Sequence, residues 1–153
     1  MKPAPAAEPL DRRDLLRGSF AFLGVLPLCC STPVIGKESV RYDGNTLLVD
    51  LSKASGLRPA GSAGAVVNQG RKLDIIIAHT GGDRFVALDR HCTHGGAHCT
   101  YNHKRRALQC TSLNHAEYDL AGTLLHGRTH GNLRAYEIRR SGDLLRIELE
   151  GSG

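Results

Sequence analysis

The run Cys92-Thr93-His94-Gly95-Gly96-Ala97-His98-Cys99 is followed, after Thr100 to Gln109, by Cys110-Thr111-Ser112-Leu113-Asn114-His115-Ala116-Glu117-Tyr118-Asp119. Together with the flanking residues His91 and His103 it holds three of the five cysteines and five of the eight histidines. An odd number of cysteines cannot close completely into disulfides within one chain, so thiols and imidazoles clustered in this way read as metal ligands first. The remaining cysteines, Cys29 and Cys30, lie far upstream in an uncharged stretch.

Around this segment the sequence is that of a turn-rich β domain. Glycine is frequent at 18 residues, tryptophan is absent, and 41% of the 153 residues are hydrophobic, enough for one modest core. Short apolar runs at Thr46-Asp50, Ala65-Asn68, Ile75-His79, Phe85-Leu88, Ala107-Gln109, Leu133-Arg139 and Leu144-Leu149 predict strands. They are separated by turn signals such as Gly81-Gly82-Asp83 and Ser141-Gly142-Asp143. Two hairpins follow, one across Gly81-Gly82 and one across Gly142-Asp143. Past the N-terminal region no sustained helical period occurs, and Ser52-Lys53-Ala54-Ser55 suffices for one turn at most. The expected fold class is an all-β antiparallel sandwich or barrel. The segment His91 to His130, poor in apolar residues, is expected to form a loop-built subdomain on that base.

The N-terminus reads as an address. Arg12-Arg13 precedes Leu15-Leu16 and then nineteen residues, Gly18 to Gly36, that carry no charge. This pattern resembles a twin-arginine export signal, which suits proteins that take up a metal cofactor before crossing a membrane already folded. The domain organisation expected is thus 1–36 as signal or anchor and 37–153 as one domain, with the metal-binding part at about 90–130. Cleavage, retention as an anchor and lipidation at Cys29 or Cys30 all stay open. The location expected is periplasmic, or the outer face of the cytoplasmic membrane. A net charge of +5 without aromatic interleaving speaks against nucleic acid as a partner.

The two Cys/His boxes, the fifteen residues between His94 and Cys110, the strand leading into the first box and the Tyr118-Asp119-Leu120-Ala121-Gly122 run after the second resemble the Rieske family. The resemblance covers most of residues 46–149. It implies a 2Fe-2S cluster in which Cys92 and Cys110 ligate one iron, and His94 and His115 the other. It also implies an electron-transfer subunit working with a cytochrome b/c-type or other redox subunit, and possible contact with quinol through a histidine edge. A subunit of a quinol:cytochrome c reductase-like complex is the first expectation. The small subunit of a molybdenum oxidase of the arsenite oxidase kind, or a non-redox metal-binding module, are alternatives.

The second box departs from the family. The family places its His three residues after the Cys, whereas Cys110 and His115 are five apart and Ser112 stands where a count back from His115 would put the thiolate. Either Cys110 is the ligand on a lengthened loop, or the thiolate is lost and Ser112 replaces it. The strand-like Ala107-Leu108-Gln109 ahead of Cys110 favours the first register. Cys99 has no partner cysteine in the second box other than the proposed ligand. Glu117 near the site, with fewer hydrogen-bond donors than the quinol-oxidising members carry, leads us to expect a lower potential. Tyr118 is expected to give one hydrogen bond to a ligand thiolate. His91, His98, His103, His126 and His130 read as exposed loop residues, a second metal site or proton relays. Lys104-Arg105-Arg106, at the tip of the hairpin between the boxes, reads as a docking patch for an acidic partner near the cluster.

Overall fold

The computed structural model describes residues 31–113 and 115–150. The signal or anchor expected at 1–36 therefore falls outside the described residues except for its last six positions. No helix among the described residues is long and apolar enough to cross a membrane.

Among the described residues eleven strands make two antiparallel sheets. The larger runs in the order β1 (Val40–Asp43), β2 (Thr46–Asp50), β11 (Leu144–Glu148), β10 (Ala135–Ser141), β5 (Arg84–Asp89), β4 (Leu73–Gly81) and β3 (Ala63–Asn68). It curls into a nearly closed barrel. The smaller contains β6 (Cys99–Asn102), β7 (Ala107–Cys110), β8 (Glu117–Tyr118) and β9 (Leu124–His126). Both expected hairpins form, Ile77 opposite Ala87 in one and Ile138 opposite Ile147 in the other. The region between them, expected to be built of loops, has in addition a ladder of its own, because β6 and β7 pair from Cys99↔Cys110 to Asn102↔Ala107.

Side chains alternate across a strand, so one hairpin can serve two cores. Ile75, Ile77, Phe85 and Ala87 point into the barrel interior with Leu47, Val49, Leu145 and Ile147. Ile76 and Leu88 point the other way and join Leu108, Tyr118, Leu133 and the three buried thiols Cys92, Cys99 and Cys110. The small sheet is thus seated on the outer face of the β4–β5 hairpin, which fixes where the metal-ligand residues stand.

Residues 33–35 lie along the edge of β3. Ile35 N–H donates to Ala65 O and Ala65 N–H to Pro33 O, both at 2.8 Å, and Val34 bridges Ala65 in parallel. This short segment satisfies part of an edge that would otherwise present open hydrogen-bonding groups. The folded unit accordingly includes a few residues ahead of Lys37.

Truncating Ile76 removes apolar volume from the second core alone. Ile76→Ala is expected to destabilise the domain by roughly 2–5 kcal/mol, the usual range for a fully buried aliphatic residue, measurable by urea denaturation.

Candidate metal centre

The first box is a tight loop. Cys92 N–H donates to Ala97 O and Gly95 N–H to Cys92 O, each at 2.9 Å. Gly95 and Gly96 hold φ of 90° and 77°, a conformation that side-chain-bearing residues rarely adopt, so the sequence reaches this turn through its paired glycines. The turn brings His94 back over Cys92.

Cys92, His94 and Cys110 converge, with one ligand atom from each lying within 4.8 Å of the others. Cys110 Sγ is 3.8 Å from His94 Nδ1 and 3.1 Å from Ser112 Oγ. Both thiols are buried. Of the two registers, the structure puts Cys110 in the group, at the end of the strand expected to deliver it, and leaves Ser112 as a neighbour of its sulfur.

His115 stands apart from this trio. Cys110 N–H donates to Ala116 O at 2.8 Å, closing the neck of the second-box loop, while Thr111 N–H donates to His98 O at 3.0 Å and ties the start of that loop to the first box. His115 is exposed at φ 46°, and Leu113 at 92% exposure is at the crest. His115 is thus not one of the residues whose ligand atoms converge with those of Cys92 and Cys110. Gly127 backs this loop. A Cβ there would fall 2.6 Å from Ala116 Cα, so the two backbones touch directly.

Tyr118 makes the expected contact. Its Oη lies 3.2 Å from Cys92 Sγ and 3.0 Å from Thr93 Oγ1, and Thr93 Oγ1 donates to Gly131 O at 2.9 Å. This chain links the first box, the second box and the 127–131 loop. Burial opposes ionisation of Cys92, but the His94 backbone N–H, the Tyr118 hydroxyl, the His94 ring and Cys110 together outweigh it and bring the thiol down to about 7.

Cys99 was left without a role by the sequence. It is fully buried, directly opposite Cys110 in the ladder, and its thiol is pushed well up by burial and by the neighbouring sulfurs Cys92 and Cys110. All three cysteines are free thiols. The site is thus a patch of three thiols and one imidazole, with a further imidazole on the loop above it.

Two charge expectations change. Glu117 is held bidentately by Arg105, Nε to Oε1 at 2.9 Å and Nη2 to Oε2 at 2.8 Å, and this partner lowers its pKa. The carboxylate expected to lower a cluster potential is neutralised, and one cation of the expected docking patch is consumed. The patch also sits away from the thiols. Cys99↔Cys110 closes one end of the β6–β7 ladder and His103 to Arg106 turn at the other, about 10 Å along at ~3.4 Å per residue. Of the other histidines, His103 contacts Tyr101, whereas His91 and His98 meet at Asp74.

No protein-family model matches the chain, and no curated protein sequence is similar to it. Solved structures are similar in fold. The ferredoxin of carbazole 1,9a-dioxygenase from Nocardioides aromaticivorans IC177 aligns with a TM-score of 0.54 at 18% identity, over 78% of this chain and 100% of that one. The ferredoxin in the complex of reduced oxygenase and oxidized ferredoxin of carbazole 1,9a-dioxygenase aligns with a TM-score of 0.59 at 20% identity, over 72% and 98%. The plasma membrane Rieske protein PetC3 from Synechocystis PCC 6803 aligns with a TM-score of 0.49 at 20% identity, over 64% and 91%. The fold is of the Rieske type, an antiparallel β base carrying a small metal-ligand subdomain.

Removing the Tyr118 hydroxyl takes away one stabilising contact of the Cys92 thiolate. In metal-free protein, Tyr118→Phe is expected to raise the Cys92 pKa above its value of about 7, read as an alkaline shift of the thiolate absorbance titration.

Proposed function

We propose that the chain carries electrons through a Rieske-type 2Fe-2S cluster held by Cys92, His94 and Cys110, with His115 as the fourth ligand. The observation that carries this reading is the convergence of Cys92, His94 and Cys110, one Cys/His pair and a second thiol, at the place where this fold presents its two boxes. The donor set fits the group, since thiolates and imidazoles on two facing loops are what such a cluster takes, and Cys92 is already poised to ionise near neutral pH. When bound, the cluster supplies one-electron exchange at a potential raised by its neutral imidazole ligands.

The chain's own residues do the rest. When Cys92 is a thiolate the Tyr118 hydroxyl donates to its sulfur and so draws negative charge from it, which favours the reduced state. Thr93, whose own proton goes to Gly131 O, places its Oγ1 3.0 Å from that hydroxyl and ties the first box to the 127–131 loop. Arg105 cancels Glu117, leaving less uncompensated negative charge nearby than the sequence suggested. His115, exposed and outside the converging trio, has to be brought to the cluster to complete the set, so loading moves the second box more than the first.

The partner is a redox protein. The Arg12-Arg13 motif supports an exported, membrane-associated respiratory complex of the quinol:cytochrome c reductase kind, or a molybdenum oxidase subunit. The fold similarity to ferredoxins of an oxygenase system supports a carrier that docks on an oxygenase. A second reading, a non-redox module, draws on Cys99. Cys99 lies opposite Cys110 in the ladder, beside two thiols and one imidazole of the types that structural zinc sites use.

EPR of the reduced, iron-reconstituted full chain separates these. A Rieske spectrum is expected in the wild type, lost in Cys110→Ser and changed in His115→Ala. A Rieske spectrum that persists in Cys110→Ser overturns the ligand assignment. An EPR-silent protein that retains one tightly bound zinc overturns the electron-transfer reading.

A further inference from the structure

A second group of ligand-type side chains lies on the other side of the first box. Asp74, near the start of β4, is only 11% exposed in its side chain. His91 Nδ1 approaches Asp74 Oδ2 at 3.4 Å and His98 Nε2 approaches the same oxygen at 3.2 Å. One atom from each of the three residues lies within 4.8 Å of the others.

The backbone makes this placement a property of the fold. His91 and His98 face each other in an isolated antiparallel bridge that closes the neck of the first-box loop, with their rings 4.7 Å apart. Cys92 and Cys99, the next residue in each case, turn inward into the second core, so the two histidines turn outward together. Arg90 N–H donates to Asp74 O at 2.9 Å, tying the neck to β4 beside the carboxylate. The Arg90 guanidinium grips that carboxylate through Nε to Oδ1 at 2.7 Å and Nη2 to Oδ2 at 3.0 Å.

We propose that Asp74, His91 and His98 form a binding site for a divalent transition-metal ion, zinc above all, separate from the Cys92/His94/Cys110 centre. Bonds of ~2.0–2.1 Å in a tetrahedral zinc site separate neighbouring ligand atoms by about 3.3 Å. The two approaches to Asp74 Oδ2 already have that length, so both imidazoles are placed to share an ion with that oxygen. Arg90 is the outer partner that orients a ligating carboxylate. A carboxylate oxygen has lone pairs for both a guanidinium and a metal. The histidine side chains are 59% and 46% exposed, which gives the ion a route in from solvent and leaves a fourth position for water. The guanidinium charge weakens the site, so the bound ion exchanges. Once bound, it clips both ends of the Cys92–Cys99 loop to β4.

Co2+ titration of the full chain, followed by equilibrium dialysis and visible spectroscopy, tests this. The wild type is expected to take up one equivalent more than His98→Gln or His91→Gln, and that equivalent shows no thiolate-to-cobalt charge-transfer band. Each variant is expected to lose at least tenfold in affinity for it, and zinc should raise the Tm of the wild type and not of the variants. Both substituted histidines are exposed, and equal melting in EDTA confirms that the variants fold. Uptake in both variants equal to the wild type, or a thiolate band on the equivalent they lose, overturns the proposal. The site shares no ligand with the thiol centre, so its failure leaves the electron-transfer reading standing, and the reverse holds.

Discussion

The β4–β5 hairpin is a single surface with two buried faces. Because residues alternate strictly along a strand, Ile75 and Ile77 must enter the barrel while Ile76 enters the core beneath the thiols. A slip of one residue in this pairing would empty both cores together. The positions of Cys92, Cys99 and Cys110 follow from that register, since all three pack on Ile76 and Leu88 and none belongs to the barrel. The metal centre is therefore held by apolar packing from below and by hydrogen bonds from above.

Those loops are themselves unequal. The first box is closed by its own backbone hydrogen bonds and by Thr93 reaching to Gly131. In the second, Cys110 is fixed by the ladder and by Ala116, whereas His115 is exposed and outside the group formed by Cys92, His94 and Cys110. The Tyr118 hydroxyl belongs with the first box, touching a sulfur that is already well placed.

Much of this was legible in the residues. Alternating apolar runs located seven of the strands, and Gly81-Gly82 and Gly142-Asp143 located both long hairpins, because burial on one side and turn chemistry are local signals. The first box was legible for the same reason, since its chemistry and its turn are contiguous. What escaped was short or nonlocal. Strands β1, β6, β8 and β9 carry no period long enough to read; β1 exists because β2 pairs it at the edge of the large sheet, and the other three because the small sheet pairs them. The match of Cys99 with Cys110, the neutralisation of Glu117 by Arg105 and the meeting of His91 and His98 at Asp74 each join residues whose sequence neighbourhoods say nothing of one another. His115 was identified from spacing, which counts residues but does not say which way a lengthened loop turns.

The direct contact of Gly127 with Ala116 has a consequence for orientation. With no side chain between them, the covering loop seals the second box from behind, and the base sheet seals the thiols from below. What remains open is a rim formed by Gly95, Gly96, Leu113 and His115, all of them exposed. On the proposed reading a redox partner would meet two bare peptide turns and one prominent leucine at that rim, so Leu113, at 92% exposure, offers it apolar contact beside the thiols.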